Sequence, residues 1–181
     1  MSDTYKNRPF DHGGMAREGQ TDFSANLSPL GVPGPVKAVL KDLAESDALA
    51  RYPDPDCAEL RAAVAEREGV PPEQVLCGNG AADLIYRYAA ARQAKRALVL
   101  QPTFSEYEKA LALAGCETDS VILSPEQGFS WPEDLPDLLT PDLDLFVFCS
   151  PNNPTGVSAP PALLERVLER CAEQAIAVFW D

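Results

Sequence analysis

The stretch LDLFVFCSPNNPTGV, residues 143–157, decides how this chain is read. Residues 143–149 form a short, nearly continuous apolar run rich in aromatic side chains, the pattern of a strand buried on both faces. The next residues cannot continue a strand. Asn152 and Asn153 stand between prolines, Thr155 and Gly156 come after them, and Ser158 with Pro160 opens a helix that runs to about Gln174. Residues 175–180 read as the next strand, and Asp181 succeeds it directly.

The same rhythm extends upstream. Residues 75–77 are a short strand candidate, followed by the turn GNGAAD and a helix over residues 81–92. Residues 96–100 (RALVL) are a buried strand leading into QPTF and a helix that ends near Gly115, and residues 119–123 are a further strand. Apolar strands alternating with helices predict an α/β fold: a mainly parallel sheet covered on both faces, three αβα layers in all. Ahead of it, the first 31 residues lack periodicity and read as an irregular arm. Val36, Val39, Leu40 and Leu43 then recur at helical spacing behind prolines that suit a first turn. Asp56 with Glu59 has the spacing of a capping box for a second helix, which Gly69 would stop.

Composition narrows the class. With 45% hydrophobic and 24% charged residues in 181, the chain has the makeup of a soluble globular protein. Its formal charge of −13 opposes nucleic acid, and any anionic ligand must be held by backbone N–H groups or a few chosen side chains. Five widely spaced cysteines read as reduced core residues rather than disulfides or metal ligands, and no metal site is expected. Neither a leader-like segment nor an apolar run of membrane-spanning length is visible, so the expectation is a cytoplasmic protein without a membrane partner.

Ligands of open parallel sheets bind outside the carboxyl ends of the strands. Four unusual turns are expected there: GNGAAD, PTF, NNPTG and the terminal Asp181. Gly78 and Gly80 permit close backbone approach and positive φ, and the N–H groups of Ala81 and Ala82 open the next helix, so the turn can cradle a phosphate or can be a tight turn with no ligand. A dinucleotide fingerprint would need glycine where Asp83 stands. Phe104 can be core or a stacking face. Asp181 can meet a cation such as a protonated ring nitrogen, or simply face solvent. Asn152 and Asn153 can offer amide donors to a ring oxygen, with the Asn153–Pro154 bond expected to be cis.

The set SPNNPTG, GNGAAD, QPTF and RYPDPD, with a strand ending in aspartate, resembles fold-type I pyridoxal-phosphate enzymes of the histidinol-phosphate aminotransferase group. DHGG (residues 11–14) and DFSANLSPLG (residues 22–31) resemble the threonine-phosphate decarboxylases of cobalamin synthesis. The resemblance implies pyridoxal 5'-phosphate as cofactor, with Gly80, Ala81 and Ala82 at its phosphate, Phe104 on its ring, Asn153 at the ring hydroxyl and Asp181 at the pyridinium nitrogen. It also implies that Tyr52 reaches the phosphate of a neighbouring subunit in a homodimer, and that His12, Asn26, Gly31 and Asn153 line the substrate. Residues 1–50 would then belong to an arm and small domain, and residues 51–181 to an incomplete cofactor-binding large domain. The implied activity is decarboxylation of L-threonine O-3-phosphate, or alternatively transamination of histidinol phosphate or another amino acid.

The Schiff-base lysine of that family, expected downstream of the aspartate in a Ser-x-x-Lys context, is absent: Lys6, Lys37, Lys41, Lys95 and Lys109 all precede Asp181. The resemblance therefore implies the first half of an enzyme, inactive alone and with apolar strand edges uncovered. A non-catalytic binding or assembly protein is the reading from a different class.

Overall fold

The computed structural model describes residues 19–21, 25 and 27–181, so His12, Asn26 and the DHGG motif lie outside the described residues. The chain divides into two units, Met1–Asp56 and Cys57–Asp181. In the first, helix α1 (Gly34–Glu45) opens behind Pro33 with a proline in its first turn, as the sequence predicts. Its apolar residues Val36, Val39, Leu40 and Leu43 are all exposed.

In the second unit, helix α2 (Ala58–Glu68) ends where expected, at Gly69, whose φ of 69° is the left-handed cap that glycine adopts without strain. Its start differs from the expectation. No side chain caps it: Cys57 holds the cap position at φ 49°, and the Asp56 N–H is turned back to Asp54 Oδ1 at 3.0 Å. The Asp56–Glu59 capping box does not form because the helix starts one residue later, with Cys57 at the cap, and the Asp56 N–H that Glu59 would accept is bonded to Asp54.

Helix α3 (Gly80–Arg92), strand β1 (Arg96–Gln101), helix α4 (Glu106–Leu113), strand β2 (Glu117–Ile122), strand β3 (Leu145–Phe148), helix α5 (Pro161–Glu173) and strand β4 (Ala177–Trp180) come next in order. All pairings are parallel and the strand order is β2-β1-β3-β4. Residues 75–77 are not a strand, and Leu76 is 65% exposed. A strand exists only through its ladder, and no described segment pairs with these residues.

Side chains of β1 and β3 alternate between two apolar clusters. Ala97, Val99, Leu145 and Val147 face Ile85, Ala89, Tyr107, Ala110 and Leu111 of α3 and α4. Leu98, Leu100, Phe146 and Phe148 face Leu163, Val167 and Cys171 of α5, together with Trp131, Leu135 and Leu139. Three layers result, as the near-continuous apolar strands require. The two crossovers leave β1 and β3 in opposite directions across the sheet, so the order reverses between these neighbours. That reversal opens a crevice at their carboxyl ends.

The opposite rim is closed by Asp144, whose Oδ2 accepts the N–H of Lys95 at 2.8 Å and of Arg96 at 3.1 Å; those two bonds hold its carboxyl below the ordinary range. Of the cysteines, Cys116 and Cys171 are buried, and burial pushes the Cys171 thiol up to about 11. Cys57, Cys77 and Cys149 are half-buried, and all five are free of disulfides.

Candidate functional site

Helices α3 and α4 flank β1 in sequence and therefore run antiparallel to it, which brings their N-termini to its carboxyl end. Arg92, at the far end of α3, reaches the Asp144 carbonyl on the amino rim, which confirms the direction. At about 1.5 Å per residue, α3 spans roughly the length of β1. The GNGAAD turn thus stands on the carboxyl rim beside the loops that succeed β1 and β3 and the residue that follows β4.

Its two glycines do different work. A Cβ on Gly78 would meet Leu84 Cδ2 at 2.8 Å and Asp83 Oδ2 at 2.9 Å, so this glycine lets the turn close on its own helix. Gly80 has φ +83° with open space around it, so it is needed for its backbone angle. Asp83 fastens the turn: Oδ2 accepts the Asn79 N–H and Oδ1 accepts Arg87 Nε–H, each at 2.9 Å, and these bonds lower its pKa. Ala81 and Ala82 sit in the first turn, where helix N–H groups have no intrahelical partner, and among the described residues neither N–H is taken by another group.

The loops after β1 and β3 are stapled by Asn152. Its Nδ2 donates to the Pro102 carbonyl at 2.9 Å and to Thr155 Oγ1 at 2.8 Å, while its Oδ1 accepts from Thr103 Oγ1 at 2.9 Å. The expectation that both asparagines can offer donors to a ligand is thereby corrected: the Asn152 amide is consumed within the protein. Asn153 is exposed, with no hydrogen bond to any described residue. The Asn153–Pro154 peptide is cis, as are Gln101–Pro102 and Ser150–Pro151. Because Asn152 joins half-buried loops through three bonds, Asn152→Ala is expected to cost about 1–3 kcal/mol of stability, read as a lowered denaturation midpoint.

Asp181 prolongs the ladder beyond β4, its N–H donating to the Phe148 carbonyl at 3.1 Å and its carbonyl accepting the Ser150 N–H at 2.9 Å. The side chain is met by a residue that the sequence does not single out. The Tyr107 hydroxyl donates to Asp181 Oδ2. Tyr107 is also packed edge-on against Phe104, centroids 5.7 Å apart, so Phe104 is half-buried on the core while remaining at the rim. Asp181 and Phe104 are thus joined through Tyr107, the Asn152–Asn153 turn is tied to the loop that carries Phe104, and the α3 N-terminus shares their edge.

Tyr52 and Gly31 belong to the first unit; Tyr52 is fully exposed and Gly31 has φ +70°. Lys109 is committed to Glu106 at 2.7 Å, Lys41 pairs with Glu45 at 3.9 Å, and Lys95 precedes β1 on the amino rim.

This rim suits a flat, phosphorylated ring bearing a protonated nitrogen. Two N–H groups at a helix start, untaken among the described residues, fit a phosphate. An unspent amide fits a ring hydroxyl, and a carboxylate with one oxygen committed to Tyr107 has the other for a ring N–H.

Comparison with known proteins agrees with this chemistry. The family model "aminotransferase class I and II" matches residues 18–181. Threonine-phosphate decarboxylase of Salmonella typhimurium is 38% identical over 180 residues, 94% of this chain and 49% of that protein. Histidinol-phosphate aminotransferase of Lactiplantibacillus plantarum is 31% identical, covering 87% of this chain and 44% of its own. Among solved structures, an aspartate aminotransferase mutant of Thermus thermophilus superposes with a TM-score of 0.77 at 25% identity, over 87% of this chain and 46% of that one. The chain spans about half the length of the curated relatives it matches. With a match running from the arm through Asp181, this chain belongs to the class I and II aminotransferase family of pyridoxal-phosphate-dependent enzymes.

Proposed function

We propose that the complete protein containing these residues decarboxylates L-threonine O-3-phosphate, and that this half of it holds the cofactor. The observation that carries the reading is the rim itself: Asp181, Asn153, Phe104 and the start of α3 all stand at the carboxyl edge around the β1–β3 reversal. The 38% and 36% identity to threonine-phosphate decarboxylases supports that substrate over histidinol phosphate, whose aminotransferases are 31–34% identical.

When bound, pyridoxal phosphate supplies an electron-accepting ring for charge released at the substrate's Cα. The protein's part is electrostatic and positional. The N–H groups of Ala81 and Ala82, with Gly80, would hold the phosphate against a net charge that opposes it. Phe104 would lie on the ring face, Asn153 would donate to the ring hydroxyl, and Asp181 would keep the ring nitrogen protonated. In the proposed reaction the Cα–carboxylate bond breaks, CO2 leaves, and Cα takes up a proton to give 1-aminopropan-2-ol phosphate.

Tyr52, fully exposed beside Pro53, is proposed to reach the phosphate of a second copy in a homodimer, with Gly31, His12 and Asn26 near the substrate. Five cysteines free of disulfides support a reducing, cytoplasmic setting. The test is to supply the complete protein with pyridoxal phosphate and phosphothreonine and to measure CO2. Equimolar CO2 and aminopropanol phosphate are expected; conversion to a keto acid dependent on an added 2-oxo acid, without CO2, would assign a transaminase instead.

A further inference from the structure

The Tyr107 side chain is buried except where its hydroxyl meets Asp181 and Cys149. The residue is 1% exposed, its ring held edge-on by Phe104 at 5.7 Å and by Phe179 at 6.1 Å. Two aromatic walls leave the ring little room to turn, so the direction of the hydroxyl is set by packing. That hydroxyl points at Asp181 Oδ2, with the Cys149 side chain on its other side. Cys149 Sγ, which also donates to the Pro151 carbonyl at 3.2 Å, is a weak sulfur acceptor beside the carboxylate, so the aspartate is the phenol's stronger acceptor. Burial, then the bond to Asp181, then Cys149 push the phenol far above the ordinary tyrosine range, so it stays a donor throughout the working pH range.

Asp181 needs such a tether. Its side chain directly follows β4, where a carboxylate without a fixed partner would sample several rotamers. One oxygen is bound to Tyr107, and the other has no partner among the described residues.

We propose that Tyr107 is a positioning residue for the cofactor's ring nitrogen, fixing Asp181 in one rotamer so that its free oxygen is presented to the crevice. The inference rests on the reading of Asp181 as the pyridinium partner. It goes further in assigning a role to a core tyrosine on α4, 74 residues away in sequence.

The test uses pyridoxamine phosphate as probe, because this amine form binds without a lysine bond. In the complete protein, Tyr107→Phe is expected to weaken its calorimetric affinity about five- to tenfold, the size of one ordinary net hydrogen bond. The resonance of a nitrogen-labelled ring should move toward the unprotonated position. In an Asp181→Asn background the same change should alter affinity less than about twofold, since the effect acts through the aspartate.

If Asp181→Asn weakens binding and Tyr107→Phe does not, or if Tyr107→Phe lowers only thermal stability, the positioning role is overturned and the reading of Asp181 stands. If Asp181→Asn leaves affinity and ring resonance unchanged, that underlying reading falls first. Should Tyr107→Phe fail to fold, para-methylphenylalanine and para-aminophenylalanine placed at position 107 keep the ring's length. Only the second is a donor, and only it should retain native affinity; equal affinities would overturn the proposal.

Discussion

Asp181→Asn in the complete protein is expected to lower kcat/KM for phosphothreonine by about two to three orders of magnitude, the scale on which a fixed electrostatic partner acts. The substitution isolates charge from shape. Asparagine has the same outline, and its Oδ1 can accept the Tyr107 hydroxyl where the carboxylate oxygen does now. The backbone bonds to Phe148 and Ser150 involve no side-chain atom and survive. On the proposed role of Asp181, the loss is the negative charge that would keep a ring nitrogen protonated, and with it the electron sink at Cα. Because asparagine keeps the Tyr107 bond and the backbone ladder, stability should change by no more than about 0.5 kcal/mol. Steady-state rates beside a thermal melt check both halves. Activity within twofold of the native protein would remove Asp181 from the mechanism, and a large fall in melting temperature would make its role structural.

The fold was largely legible from one kind of signal, the short apolar run. Residues 96–100 and 143–149 are mostly buried on both faces, and parallel strands of that kind announce themselves by composition alone. Residues 75–77 were not legible, because a strand depends on a neighbour that sequence does not name, and here no described residue supplies one. The capping box failed for a local reason: Asp54 takes the Asp56 N–H, and the cap position falls to Cys57.

The placement of Phe104, Asn153 and Asp181 at one rim was legible because each follows a strand, and position after a strand end is visible in sequence. Asn152 and Asn153 are chemically identical, and only the approach of Thr103 and Pro102 from another loop decides which amide is spent. Tyr107 lies within a helix, where an aromatic residue reads as core. It is core, and its hydroxyl nonetheless reaches Asp181 at the rim.

Phe148→Ala is expected to produce a large loss of stability, about 3–5 kcal/mol for an aromatic side chain truncated in a packed core. Phe148 is 1% exposed and touches three rings, with centroids at 5.0 Å to Trp131, 5.3 Å to Phe146 and 5.4 Å to Trp180. Trp131 lies edge-on at 83°, an arrangement worth about 0.5–1.5 kcal/mol beyond burial. Phe148 therefore ties the loop bearing Trp131 to β3 and to the last residue of β4, and its removal leaves a void that none of these elements can fill alone. Against a total of about 5–15 kcal/mol, such a loss is a large fraction. Phe148→Leu, which keeps most of the volume and gives up the ring contacts, should cost less than half as much. Urea denaturation of the complete protein reads the two as unequal shifts of midpoint. The Phe148 carbonyl still receives the Asp181 N–H in both variants, so the folded leucine variant should bind pyridoxamine phosphate within about twofold of the native protein. A strong loss of binding in that variant would show that the aromatic packing shapes the rim directly, while equal midpoint shifts for alanine and leucine would locate the stabilisation in the ring contacts and not in filled volume.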